Sequence, residues 1–245
     1  MVNLRDFFVI MHGMCGRYTI LSPLVEIRAL FHINIGTSNI INLEPRYNVA
    51  PSNFVPVVYS SNKGNELISS YWGLNMPWPH SNKKTGKLIN ARSETLHRKA
   101  AFREAFKYRR CLIPADGYYE WSTANGRKKQ PWLIHPQHEK PFALAGIWET
   151  YADADGKIFT AFAIVTTEAS PSIAHIHRRM PVIVSSKNYA TWLSAPTTET
   201  FSILKPYTKP ILAHRVSNRV NNVRNDDKNL LSPVFQKTPA QLSLL

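Results

Sequence analysis

The feature that most constrains the fold is a series of four short β-prone runs in the middle of the chain. They cover residues 118–122, 129–135, 141–148 and 158–166. Turn-forming residues separate these runs: Asn125-Gly126, a turn that contains Pro136, and Asp155-Gly156. Such residues are typical of hairpin connections. The pattern therefore predicts a β-meander, with a sheet at the centre of the protein.

Helical patterning lies on either side of these runs, in residues 23–31, 93–110 and 186–193. In the second segment Leu96, Phe102 and Phe106 recur at a spacing compatible with a helix, and Ser93 is a suitable N-cap. The chain has no internal repeats and no low-complexity linker. We therefore expect an α+β fold: a strand-dominated single domain with a curled or barrel-like sheet and peripheral helices.

Composition narrows the choice of partners. Thirty Lys and Arg residues against sixteen Asp and Glu give a formal net charge of +14. This excess favours a polyanionic partner, although a basic surface also supports solubility. No apolar run approaches the roughly 20 residues of a membrane span, and no signal peptide is recognisable, so we expect a cytoplasmic protein. With two cysteines and no Cys-x-x-Cys pair, we expect neither a disulfide framework nor a metal site.

Five short segments combine reactive or polar side chains with turn formers or strand ends. They are Met14-Cys15-Gly16-Arg17-Tyr18, Arg46-Tyr47-Asn48-Val49-Ala50-Pro51, Asn90-Ala91-Arg92-Ser93-Glu94, Pro114-Ala115-Asp116-Gly117-Tyr118-Tyr119-Glu120-Trp121 and His177-Arg178-Arg179-Met180-Pro181. In order and spacing they resemble the SRAP family, whose bacterial and human members are abasic-site processing proteins. Trp72-Gly73-Leu74 and the run 216–227 also resemble family segments.

The resemblance implies a covalent role for Cys15. In the family the initiator Met is removed, and the next residue, a Cys, becomes the N-terminus. A free α-amine has a pKa of about 8, so part of it is neutral and nucleophilic at physiological pH. The amine can attack the aldehyde of an abasic site, and the thiol of the same residue can then close a thiazolidine ring. An inert, buried Cys is the alternative for this residue type.

The implied domain covers residues 15–234, with an N-terminal extension at 1–13 and a C-terminal tail at 235–245. The extension conflicts with a free amine on Cys15, and three explanations remain open. Met14 is the true start, which we favour because ordinary processing removes Met before Cys. Otherwise the extension is removed by self-cleavage or another protease, or it is retained and the protein binds DNA without a cross-link.

The other implied catalytic residues are Asn90, Glu120 and His177. Glu120 lies between Tyr119 and Trp121, and a carboxylate among aromatic rings tends to have a raised pKa, which suits proton transfer. His177 can shuttle protons near neutral pH. The resemblance assigns Asn90 to holding the sugar and the cysteine by hydrogen bonds.

For DNA binding, the same motifs imply phosphate contacts from Arg17, Arg92 and Arg179. Trp72 and Trp121 are expected to stack on bases or wedge between strands, with core packing as an equally weighted alternative for Trp72. We interpret Cys111 as a core strand residue. We interpret His175 as a structural residue or a phosphate contact.

The leading hypothesis is single-turnover capture of abasic sites in single-stranded DNA by a monomer that needs no cofactor or metal. Associated lyase and autopeptidase activity would follow from the same chemistry, and the resemblance links the protein to the SOS response. Two alternatives remain. One is a thiol peptidase or hydrolase that uses Cys15, His177 and Glu120. The other is a basic single-stranded DNA-binding module with an inert Cys.

Overall fold

A computed structural model describes residues 15–34, 42–74, 87–122, 129–153 and 155–234. The strands in these ranges are β1 Arg17–Ile20, β2 Arg46–Val49, β3 Phe54–Ser61, β4 Gly64–Trp72, β5 Asn90–Arg92, β6 Arg110–Ala115, β7 Gly117–Ser122, β8 Gln130–Pro136, β9 Phe142–Ala152, β10 Ile158–Glu168, β11 Arg179–Pro181, β12 Ile183–Val184 and β13 Ile211–Arg215. The helices are α1 Leu24–Leu30, α2 Arg103–Tyr108, α3 Tyr189–Ser194 and α4 Thr197–Thr200, and short 3₁₀ turns cover Ser93–Thr95, Ser186–Asn188, Asn218–Asn221 and Lys228–Leu231. The Asn125-Gly126 turn and the segments 1–13 and 235–245 lie outside the described residues.

The larger sheet closes on itself. Its strand order is β11-β10-β4-β3-β6-β9-β12, and β9 also pairs with β10, so β10, β4, β3, β6 and β9 form a closed barrel. These strands are rich in β-branched and aromatic residues, which suit a pleated, buried surface. Val57, Leu67, Ile147 and Phe162 are fully buried within this core. The expected strand-dominated α+β fold with a barrel-like sheet is confirmed.

The smaller sheet has the order β13-β8-β7-β1-β2, and side chains on both of its faces are packed against other parts of the protein. Tyr18, Tyr118 and Ile134 face the main core. On the opposite face Tyr119 and Leu133 form a second cluster with residues of the C-terminal segment. This segment, which includes the buried residues Val216, Val220 and Leu230, covers the sheet.

All four predicted β runs are strands, but they do not form a meander. β7 and β8 pair in the smaller sheet, whereas β9 and β10 pair in the barrel. The predicted Pro136 turn is therefore a crossing between sheets and not a hairpin. The physical reason is that β9 pairs with β6 along one edge and with β12 and then β10 along the other, so neither edge is free for β8.

The predicted helices are confirmed at 23–31, where α1 forms, and at 186–193, where a 3₁₀ turn leads into α3. The continuous helix over 93–110 is wrong. Leu96 and Phe102 are both buried, and six residues of helix would place them about 120° apart. The chain therefore turns between them, and α2 is the α-helical part of this stretch. Ser93 lies inside a 3₁₀ turn that Arg92 precedes, so it is not an N-cap. None of the helices in the described ranges has the length and apolar character needed to cross a bilayer.

Candidate functional site

Cys15 lies two residues before the start of β1 and is fully buried. Because β1 runs between β2 and β7, the residue is brought to the end of β7 that carries Glu120. The Asn90 side-chain amide donates a hydrogen bond to the Cys15 carbonyl oxygen at 3.2 Å. This contact fixes the backbone of Cys15 from β5, a strand of the other sheet.

Glu120 is the buried acid of the site, with 4% of its surface exposed. Burial raises the pKa of this carboxyl group to about 8, even though backbone N–H groups of Cys15 and Trp121 point at it and lower the pKa. Its Oε1 atom has no hydrogen-bond partner among the described residues. At neutral pH the carboxyl group is therefore mostly protonated, and it can donate a proton to a group that enters the site.

His177 completes the cluster from the loop before β11. Its Nδ1 atom lies 3.8 Å from Glu120 Oε1 and accepts a hydrogen bond from the Arg179 backbone N–H at 3.2 Å. Residues at positions 15, 90, 120 and 177, which sequence analysis selected as the catalytic set, thus come together from four separate segments. Their predicted roles remain predictions, but their proximity permits acid–base chemistry at Cys15.

The Cys15 thiol is held in its neutral form. Burial raises its pKa well above the ordinary value, and the nearby Glu120 carboxylate raises the pKa further. The Sγ atom has only a long contact, 4.0 Å, to the Arg17 carbonyl oxygen. Because an attacking thiolate requires a lowered pKa, this environment does not activate the thiol as the first nucleophile.

The three predicted phosphate-binding arginines differ in their surroundings. Arg17 donates hydrogen bonds to Asn48 Oδ1 at 3.0 Å and to the Val220 carbonyl oxygen at 2.6 Å. Arg179 forms an ion pair with Glu94 and is 12% exposed. Arg92 is exposed at the end of β5. Arg92 is therefore the most accessible of the three to a DNA strand.

The two predicted stacking tryptophans also differ. Trp72 is fully buried, packs edge-on against Tyr18 and donates its indole N–H to the Ile89 carbonyl oxygen at 3.0 Å. This position corrects the expectation that Trp72 stacks on bases, because the ring fills the core. Trp121 is half-buried, and its indole N–H donates to Asn221 Oδ1 at 2.8 Å.

Comparison with known proteins identifies the family. Residues 14–223 match the model of the family described as SOS response associated peptidase (SRAP). The chain belongs to this family.

Individual relatives agree with the family match. The SRAP chain is 35% identical to the abasic site processing protein YoqW of Bacillus subtilis, over 89% of this chain and 99% of that protein. It is 30% identical to the abasic site processing protein YedK of Escherichia coli, over 90% of this chain and 100% of that protein. A crystal structure of a Bacteroides thetaiotaomicron protein aligns with a TM-score of 0.78 at 26% identity, covering 90% of this chain and 100% of that one.

Two of the motifs in this SRAP chain have supporting roles that sequence reasoning did not assign. Asp116 accepts hydrogen bonds from the Leu21 and Ser22 backbone N–H groups, at 2.6 and 3.0 Å, and so ties the end of β1 to β7. The Asn48 amide donates to the carbonyl oxygens of Asn222 and Asn225, at 3.2 and 2.8 Å, and holds the C-terminal segment. Both residues lie in the motif segments 114–121 and 46–51, so the motifs could have pointed to these supporting roles.

Sequence reasoning also missed two buried hydroxyl groups. Tyr18 and Tyr118 face each other across β1 and β7 and are fully buried. Neither hydroxyl has a hydrogen-bond partner within the described part of the chain. Tyr118 lies two residues before Glu120 on the same face of β7, so it adds an unsatisfied polar group beside the acid.

Proposed function

We propose that this protein captures abasic sites in single-stranded DNA through a covalent thiazolidine link to Cys15. The observation that carries the proposal is the position of the Cys15 backbone nitrogen, whose hydrogen bond is directed at the buried, largely protonated Glu120. That nitrogen becomes the reacting amine once no peptide bond precedes Cys15. Relatives that are named abasic site processing proteins support the choice of substrate.

The first step is attack of the Cys15 α-amine on the open-chain aldehyde carbon of the abasic deoxyribose. The new C–N bond gives a carbinolamine, and loss of its hydroxyl group as water leaves an imine. Glu120 is placed to supply the proton that the departing water needs, because burial keeps it protonated near neutral pH. His177, 3.8 Å from Glu120, is suited to accept the proton that the amine loses and to return it.

The second step closes the ring. The Cys15 sulfur bonds to the imine carbon, and the thiol proton ends on the former imine nitrogen. The product is a five-membered thiazolidine, and the two steps together release one water molecule. A neutral thiol suits this order, because it does not react before the imine has formed. Asn90 holds the Cys15 carbonyl group through both steps.

The same imine also explains how lyase activity would arise. An imine at the sugar carbon acidifies the neighbouring C–H bond, so that loss of this proton and of the 3′ phosphate cleaves the strand. Closure to the thiazolidine removes the imine and shields the strand from this elimination. Cleavage of a peptide bond before Cys15 would be the autopeptidase activity, and it would free the amine.

The test uses a single-stranded oligonucleotide with one abasic site, an intact oligonucleotide of the same sequence, and protein whose intact mass has been measured. We expect protein that starts at Cys15 to give a heat-stable band on a denaturing gel with the abasic strand alone. Formylation of the α-amine should abolish this band. Activity on a peptide or ester substrate that survives formylation would indicate a thiol hydrolase instead. Equal binding of both strands with no stable band would indicate a DNA-binding module.

A further inference from the structure

A row of three side chains crosses the smaller sheet from the candidate site to its edge. Glu120 in β7 is directly opposite Trp132 in β8, and Trp132 is directly opposite Arg215 in β13. Residues paired in this way point to the same face of a sheet. Because neighbouring strands are about 4.8 Å apart, the backbone of Arg215 lies about 10 Å from that of Glu120.

Trp132 forms the middle of this row and is half-buried. Its indole N–H donates to Ser122 Oγ at 2.9 Å, which fixes the ring. The Arg215 guanidinium lies over the ring, 5.2 Å from its centroid. The exposed ring of His175, two residues before His177, packs edge-on against the indole at 5.8 Å. The indole is therefore a fixed platform that holds a cation beside the acid site.

Arg215 differs from four other arginines near the site, which are held by protein partners. Arg17 is bonded to backbone carbonyl groups, whereas Arg46, Arg179 and Arg219 form ion pairs with Asp226, Glu94 and Asp227. Within the ranges that the structure describes, no carboxylate forms an ion pair with Arg215. A half-exposed guanidinium that has a stacking partner and no counter-charge is suited to bind a phosphate.

We propose that Arg215, positioned by Trp132, binds a backbone phosphate of the DNA strand next to the abasic nucleotide. The proposal rests on the proposed function for the identity of the strand. It adds a phosphate contact that the five motif segments do not supply, across β8 from Glu120. With the lesion at Cys15, a strand that crosses the row meets Glu120 first and Arg215 last.

The test measures reversible binding of a single-stranded oligonucleotide that carries a tetrahydrofuran abasic analogue, which has no aldehyde and cannot cross-link. Fluorescence anisotropy is recorded over a series of salt concentrations for wild type, Arg215→Gln, Arg215→Lys and Lys63→Gln. Lys63 lies in the exposed turn between β3 and β4, in the other sheet, so its loss is a matched removal of one charge outside the row.

We expect Arg215→Gln to weaken binding about tenfold and to reduce the slope of log K against log salt by about 0.7, as expected for one lost phosphate contact on a single strand. Arg215→Lys should restore the slope, and Lys63→Gln should match wild type within about twofold.

Equal affinity and slope for Arg215→Gln and Lys63→Gln would overturn the proposal, and so would a slope that Arg215→Lys fails to restore. These outcomes are independent of the proposed chemistry, because the analogue cannot react. A wild-type protein that binds the analogue but never cross-links a true abasic strand would contradict the thiazolidine mechanism and leave the Arg215 contact in place.

Discussion

The two cysteines, Cys15 and Cys111, are equally buried and differ in almost everything around them. Cys15 lies against Glu120 and Asn90, and its Sγ atom makes a long contact of 4.0 Å to the Arg17 carbonyl oxygen. Cys111 lies in the barrel, where it faces Gly146 of β9 and its carbonyl oxygen accepts the Trp192 indole N–H at 2.8 Å. Burial raises the thiol pKa of both residues.

The comparison shows that burial alone does not separate the cysteine proposed to react from the one proposed to be structural. The separation comes from the polar atoms within reach. Around Cys15 they include a carboxyl oxygen without a partner and the nearby hydroxyl groups of Tyr18 and Tyr118. Around Cys111 the neighbours are mostly apolar and tightly packed, although the Tyr18 hydroxyl group lies near both thiols. The difference is the Glu120 carboxyl group, whose oxygen, unpaired among the described residues, gives the first environment hydrogen-bonding capacity that a substrate could use.

The largest expected effect is on covalent capture. Cys15→Ala should abolish the heat-stable adduct with abasic single-stranded DNA, because both nucleophilic steps need this residue. Cys111→Ala should keep the adduct yield within about twofold of wild type, since core packing governs stability more than chemistry. Denaturing gels quantify both variants. Loss of the adduct in Cys111→Ala with the fold intact would remove the distinction between the two cysteines.

The next effect concerns the acid beside Cys15. Glu120→Gln should slow adduct formation by about 100-fold at pH 7, within the range for loss of a general acid. In wild type the rate should fall as pH rises through about 8, where Glu120 loses its proton. The variant should lack this fall. Single-turnover time courses over a range of pH measure both rates. A variant with wild-type rates would exclude Glu120 as the acid.

Glu120 should also make stability depend on pH. Its folded pKa of about 8 lies above the ordinary value of 4.5, so between these pH values the folded state binds more protons and stability falls as pH rises. The full shift corresponds to at most about 5 kcal/mol. We expect Glu120→Gln to increase the free energy of unfolding over wild type at pH 9 and to match it at pH 4. Urea denaturation at pH 9 and pH 4 tests this expectation. The same difference in unfolding free energy between variant and wild type at both pH values would contradict it.

The smallest effect probes the packing around Cys111. A Cβ atom at Gly146 would lie 2.8 Å from Cys111 Sγ and even closer to Ile113 Cδ1. Gly146→Ala should therefore lower the free energy of unfolding by about 1–3 kcal/mol, as overpacking of a core does. Adduct formation at saturating DNA should be unchanged. Thermal or urea unfolding measures the change in stability. A Gly146→Ala variant that is more stable than wild type would show that the barrel has room for a methyl group at this position.

The sequence predicted the strands well because their β-branched and aromatic content is local information. It could not predict which sheet each strand joins, because the partners of β9 are distant in sequence. The helix over 93–110 was wrong for a related reason: Leu96 and Phe102 are both drawn into the core, and this tertiary demand breaks the helix. Pairing and packing, not propensity, decided both features.

The four residues proposed as catalytic could be selected from motifs because each lies in a recognisable segment. The sequence could not decide between base stacking and core packing for Trp72, because an aromatic residue in a motif suits both. The structure places its ring in the core. Trp132 and Arg215 were missed because they are 83 positions apart and only the β8–β13 register unites them. No local pattern marks such a pair.

The most direct measurement is peptide mapping of the adduct between the native protein and single-stranded DNA with one abasic site. Mass spectrometry should find the sugar on a peptide whose first residue is Cys15, with a mass that reflects loss of one water and without any borohydride treatment. A sugar attached to a lysine, or one retained only after borohydride reduction, would contradict the thiazolidine account. An adduct whose peptide still contains residues before Cys15 would contradict it equally, because the amine would then be blocked.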